Sequence, residues 1–291
     1  MLPPRCRDNE SQIQTWIHAV RWSLLLDVHW CGQGNLSRAL QSELLREGPD
    51  DDHIYGMEDE DHQSSEPSES IYFCGVPRRP LYKELAVRLF RWNGHGMRCS
   101  MDYLFLPAKK LGFETCTDLH LRTCYPPKNS KYVGEWFRRY GDTGVLCLLG
   151  MRHTAGSDPR PLVPPGRPWL LAAADRLYKP PNKLTVAARA RSKHAIRCSH
   201  GYFGIARGNP EVQNNATRAI LVKLINEAVW INIHTFGGLE KGNSVMEIRV
   251  ATGYGARWTA DWSSIPVSNI EFRGFLEPQA TDGHERRWKH V

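Results

Sequence analysis

No stretch of this sequence approaches the roughly eighteen consecutive apolar residues of a membrane-spanning helix. The apolar-rich run Trp22–Leu26, for example, is ended by Asp27. The N-terminus lacks the apolar core and small-residue cleavage site of a secretory signal, so a soluble chain with no membrane contact is expected. The eight cysteines, at 6, 31, 74, 99, 116, 124, 147 and 198, contain no CxxC. That pattern argues against a disulfide scaffold and for reduced thiols, in cytoplasm or nucleus.

Several chemical signatures are also missing. Without G-x-x-x-x-G-K-[ST], and without GxGxxG between a strand and a helix, no standard nucleotide loop is present. Without G-x-S-x-G or a cysteine box of known type, a serine or cysteine nucleophile is unsupported. Cys116, Asp118, His120 and Cys124, and the pair Cys198 and His200, match no established zinc spacing, so no metal site is expected. No cofactor can be named, and the lack of a cofactor loop favours hydrolysis, transfer or proton chemistry over redox. No repeat of fixed period occurs.

What is present begins with charge. The chain has 291 residues and a formal net charge of +7. Residues 1–75 hold 5 Lys/Arg and 14 Asp/Glu; the rest carry 33 basic and 17 acidic groups. The body is therefore strongly cationic and should concentrate anions such as phosphates or nucleic acid.

Three regions follow. Residues 1–47 form an N-terminal helical segment, with amphipathic stretches at Ser11–Trp30 and Leu36–Glu47 and a cap at Asn35 or Ser37. Residues 48–70 are acidic and poor in apolar side chains, which predicts a disordered linker. Residues 71–291 form the core domain. Helices are predicted at Pro80–Trp92, Tyr132–Tyr140 and Trp169–Tyr178, and strands at Tyr103–Leu106 and Val145–Leu149. The proline-rich segment Arg160–Pro168 is expected to be a surface connection or lid.

The functional site is expected in residues 199–291. A strongly periodic helix follows Asn214 and Asn215, either of which is a suitable N-cap. Arg218 would then sit near the first turn and could share a bound anion with the helix N-terminus. Alternation predicts four strands, at Leu184–Arg191, Val229–Thr235, Met246–Val250 and Ile270–Arg273, each with an aliphatic and a polar face. The fold class is α+β: a mostly antiparallel sheet with helices packed on one face. Glu247 with Arg273, and Arg249 with Glu271, share an index sum of 520, so one antiparallel register would make both cross-strand ion pairs.

The residues left over carry the functional reading. His234 or His284 could act as general acid or base near neutral pH, with Glu277 orienting the imidazole or serving as base. Arg218, Arg257 and Arg273, with Asn214 and Asn215, could hold a phosphate or carboxylate. Trp230, Tyr254 and Trp258 could stack on a planar group. The first reading is an enzyme acting on a phosphorylated or otherwise anionic substrate. The second is a protein binding RNA or single-stranded nucleic acid, and the third a protein-interaction module.

Overall fold

A computed structural model describes residues 10–26, 36–46, 74–94, 125–154, 156–179, 181–197, 201–235, 243–264 and 266–278. The acidic stretch 48–70, the strand expected at Tyr103–Leu106, the candidate metal-ligand pairs and His284 lie outside those residues.

Among the described residues the helices are α1 (Glu10–Leu26), α2 (Arg38–Leu45), α3 (Leu81–Gly94), α4 (Val133–Leu148), α5 (Arg167–Asp175), α6 (Val186–Arg197) and α7 (Pro210–Glu227). Four strands, β1 (Trp230–His234), β2 (Asn243–Arg249), β3 (Gly255–Asp261) and β4 (Ser268–Leu276), form an antiparallel sheet in the order β1-β2-β3-β4. The class is α+β, as the alternation implies. No described helix is long and apolar enough to cross a membrane.

The N-terminal helices pack where their apolar stripes require. Ser37 caps α2 by accepting from Leu40 N, and Ser37 N donates to Asp142 of α4. Trp16 of α1 meets Phe90 of α3 edge-on at 6.3 Å. Trp16, Val20, Leu24, Leu40 and Leu44 join the same hydrophobic cluster as the sheet.

Several expected elements are differently built. Val145–Leu149 lies in the second half of α4, beyond a break at Gly141 (φ 55°), and ends that helix instead of forming a strand. A short run buried on all sides has no period to distinguish helix from strand. Leu184–Arg191 is also helical from Val186 on. It contains Ala187, Ala188 and Ala190, strong helix formers, and Thr185 Oγ1 caps the first turn by accepting from Ala188 N. The segment at Arg160–Pro168 is not a lid. Val163, Pro164, Pro165 and Gly166 are buried, Trp262 Nε1 donates to Val163 O, and Arg79 Nη2 donates to Pro164 O.

One face of the sheet carries Ile231, Ile233, Met246, Ile248, Ala256, Trp258, Phe272 and Phe275, all buried. α5 and α6 pack on it at β4, and α7 at β2 and β3. In β4 the register slips between Arg257 and Trp258, where Gly274 adopts φ 137°. That bulge returns Phe275 to the face already occupied by Phe272. The outer edge of β1 is covered by residues 151–158: Arg152 N donates to Ile231 O, Asp158 N to Ile233 O, and Thr235 N to Gly156 O. These three bonds shield that edge from pairing with another chain.

Gly255 opens β3 against β2, where a Cβ would overlap the Ile248 carbonyl oxygen. The obstacle is backbone and cannot swing aside. Gly255→Ala should therefore destabilise the fold by at least about 2 kcal/mol, read as a lower denaturation midpoint. An unchanged midpoint would mean that the two strands are not packed this closely.

Candidate functional site

Strand periodicity places Trp230, Asn232 and His234 of β1, Val245, Glu247 and Arg249 of β2, and Gly255, Arg257 and Thr259 of β3 on the face opposite the helices. The register sets Asn232, Glu247 and Arg257 in one row across three strands. His234 stands diagonally from Glu247, with Nε2 4.0 Å from Oε2. Glu247 is 9% exposed and Arg249 4%. Arg249 Nε donates to Glu247 Oε1 at 2.7 Å, while Nη1 donates to Gly253 O at 2.7 Å and Glu277 O at 3.0 Å. One buried guanidinium thus fixes the Glu247 carboxylate and ties it to the β2–β3 turn and the end of β4.

Burial pushes the His234 imidazole below its ordinary pKa. Glu247 pulls it back up, and Arg249 and Arg257 push it down again. A neutral imidazole near neutral pH is the result, held beside a buried carboxylate and facing a partly exposed Arg257. Trp230 is buried 5.9 Å from the His234 ring and walls that end of the face.

Asn232 has a structural task. Its Oδ1 accepts from Ser157 Oγ at 2.7 Å and its Nδ2 donates to Thr154 Oγ1 at 3.1 Å, fastening the covering segment to β1. Nearby, Asp158 accepts from Arg160 Nε and Nη2, Arg160 N and Ser244 Oγ. Burial raises the Asp158 carboxyl, but the bonds from Arg160 and Ser244 outweigh it and hold the pKa at about 2. A depressed carboxylate pKa contributes stability above the unfolded value near 3.9, and the contribution disappears as pH falls from about 4 toward 2. Asp158→Asn should cost about 1–2 kcal/mol at pH 7 and nothing further near pH 2, in denaturation followed against pH. An equal cost at both pH values would show that charge plays no part.

Most of the other candidates have settled places. Asn209, not Asn214 or Asn215, caps α7 by accepting from Val212 N. The helix begins five or six residues earlier than its periodicity suggests because Pro210 starts it. Arg218 consequently lies well past the first turn, where it ion-pairs with Asp175. Asn215 is exposed, and Asn214 bonds Thr185 N and Lys183 O. Tyr254 is buried and stacked on Tyr202 at 4.0 Å; Trp258 is fully buried with Nε1 donating to Leu170 O. Neither ring, nor that of Trp230, is presented to solvent. Arg273 is exposed and lies 3.6 Å from Glu271.

The expected cross-strand ion pairs do not form, because β3 lies between β2 and β4. The actual pairs are within strands, Glu247 with Arg249 and Arg273 with Glu271. Glu277 also leaves the expected constellation. It lies at the end of the sheet away from His234, and its carboxylate bonds His194 Nδ1 on α6 at 2.9 Å. His234 and Arg257 remain together on one face.

Glu247 and Arg249 were not legible as site residues. Pairing consecutive strands β1 and β2 as a hairpin would have set Glu247 beside Asn232 and His234. No groups of His, Cys, Asp and Glu suited to a metal ion occur among the described residues.

Residues 173–277 match the family described as the CdiA C-terminal tRNase toxin domain. The match covers a little over a third of the chain, from the end of α5 through α6, α7 and the whole sheet. No curated protein and no solved structure matches the chain.

Proposed function

We propose that the polar face of the sheet cleaves RNA, with His234, Glu247 and Arg257 at the reaction centre. The observation that carries this reading is their juxtaposition: a half-buried imidazole kept neutral, a carboxylate 4.0 Å behind it, and a partly exposed guanidinium across the strand. The juxtaposition falls within the segment similar to a tRNase toxin domain. The cationic body suits a polyanionic substrate.

RNA carries its own nucleophile. When the ribose 2′-oxygen attacks the adjacent phosphorus, the bond to the 5′-oxygen breaks and a 2′,3′-cyclic phosphate forms. One proton leaves the 2′-hydroxyl and one reaches the departing 5′-oxygen, so the step is balanced without any change of oxidation state. Neutral His234 takes the first proton, and solvent supplies the second. Glu247 stabilises the imidazolium that results, while Arg257 holds the phosphate and the negative charge that builds on it. Arg249 keeps the Glu247 carboxylate facing His234.

The test is incubation of the full chain with a defined RNA and with DNA of the same sequence. Cleavage of the RNA alone, leaving cyclic phosphate and 5′-hydroxyl ends, is expected, and Arg257→Ala should slow it about 10²-fold or more. RNA that is bound but never cut would favour a nucleic-acid binder instead.

A further inference from the structure

The 22 residues from Arg176 to Arg197 hold seven Lys/Arg and no Asp/Glu. Their fold gathers the charge into a knuckle. Leu177 and Thr185 bridge antiparallel; Tyr178 N donates to Leu184 O, and Val186 N to Arg176 O. The turn between them has Asn182 N donating to Lys179 O, with Lys179 at φ 49°. Asn214 of α7 clamps the base of this turn by bonding both Lys183 O and Thr185 N. The hairpin is therefore held to the helical layer by its backbone, with its lysines outward.

The first turns of α6 extend the same surface. Arg191 turns inward and is consumed by Phe203 O and Ile205 O. Arg189 and Lys193, one helical turn apart, are both exposed. Like charges at this spacing destabilise a helix by some tenths of a kcal/mol. Arg176, Lys179 and Lys183 are exposed as well, and among the described residues none of the five pairs with a carboxylate. The adjacent Asp175 is taken by Arg218. In the middle lies Tyr178, its ring flanked by Lys179 Nζ at 5.8 Å and the Arg189 guanidinium at 6.0 Å. Five exposed cations, two of them over one aromatic ring and none paired with a carboxylate among the described residues, are arranged for an external polyanion.

We propose that this basic hairpin, Arg176–Lys193, is a docking surface for the phosphate backbone of a folded RNA, separate from the cleaving face. The inference rests on the RNA-cleaving reading for the identity of the polyanion. α5 and α6 lie against the sheet face opposite His234, at the edge strand β4. An RNA touching both surfaces has to pass around that edge, which selects a substrate larger than a dinucleotide and makes the hairpin a determinant of which RNAs are held.

The experiment measures binding of a folded hairpin RNA, 2′-O-methylated throughout so that it cannot supply the attacking oxygen. The proteins are the full chain, the variant Lys179→Gln/Lys183→Gln/Arg189→Gln/Lys193→Gln, and a charge-matched control, Arg38→Gln/Lys128→Gln/Lys131→Gln/Arg139→Gln, at exposed positions elsewhere. Matching thermal melts establish that all three are folded. The hairpin variant should bind about 10–100-fold more weakly at ~0.1 M salt, and its slope of log K against log salt should be shallower by about 3, one phosphate per cation. The control should stay within about twofold of the full chain, a margin of under 0.5 kcal/mol.

Equal losses in the two variants would overturn the proposal in favour of a diffuse field, and so would no loss in either. Loss of binding to vesicles rich in phosphatidylserine, with RNA affinity intact, would overturn it too. Unmethylated RNA is assayed for cleavage separately. A chain that cleaves RNA while the hairpin variant binds normally loses the docking surface and keeps the cleavage reading. One that docks RNA through the hairpin and cuts nothing does the reverse.

Discussion

Replacing His234 by alanine is expected to lower the single-turnover rate of RNA cleavage by about 10²–10⁴-fold, the range that a positioned proton-transfer group supplies. The side chain is half-buried at the end of β1, and without it the buried Glu247 keeps its 2.7 Å bond from Arg249. Thermal stability should therefore change little while the reaction is lost. That separation distinguishes a reacting imidazole from one that only fills space. The pH dependence has a defined sign. A base must be neutral to accept a proton, and burial lowers the His234 pKa below its ordinary 6.5. The rate in the unaltered chain should rise with pH through a midpoint below 6.5 and then level off.

Arg249→Ala should have the largest effect on the fold itself. The guanidinium is 4% exposed and bonds Glu247 Oε1, Gly253 O and Glu277 O. Its removal leaves a buried carboxylate without its cation and two carbonyls without their donor. Breaking a buried ion pair in this way costs about 3–5 kcal/mol, or a fall of roughly 10 °C in Tm for a chain of this size. Arg249→Lys keeps the charge but not the fork, so it should recover part of the stability. Arg249→Ala/Glu247→Gln, which removes both charges, should be less destabilised than Arg249→Ala alone. If it is more destabilised, the cost lies in packing and the ion pair is incidental.

Legibility in the sequence followed how local each signal was. Pro80–Trp92 carries its own period, and Ser37 its own cap, so α3 and the start of α2 could be located from a few neighbouring residues. β1, β2 and β4 were likewise visible because aliphatic side chains alternate with polar ones. β3 has the same alternation, Ala256, Trp258 and Ala260 against Arg257, Thr259 and Asp261. Its glycines and small alanines mask the pattern. With β3 unseen, the sequence pairs Glu247 with Arg273 across a strand that in fact intervenes.

The candidate site shows the same division. Alternation along β1 sufficed to put Trp230, Asn232 and His234 on one face. The β1–β2 register decided that Glu247 lies beside them, and the unseen β3 decided that Arg257 does and that Glu277 does not. Tyr254 and Trp258 illustrate the remaining gap. Arginine and aromatic side chains in a glycine-containing stretch suit either a ligand or a core. Only tertiary packing shows that Tyr254 stacks on Tyr202, while Trp258 lies beneath α5.

In the proposed reaction His234 and Glu247 act as one proton-moving pair on RNA. Single-turnover cleavage of a labelled RNA, followed from about pH 4.5 to 8.5 for the full chain and for Glu247→Gln, bears on it most directly. The negative charge of Glu247 raises the proton affinity of His234. Removing that charge should therefore move the acid limb to lower pH and reduce the plateau rate, because the imidazolium formed in the reaction loses its carboxylate. A limb that keeps its midpoint in Glu247→Gln, or cleavage that survives His234→Ala, would contradict the assignment of this sheet face as the reaction centre.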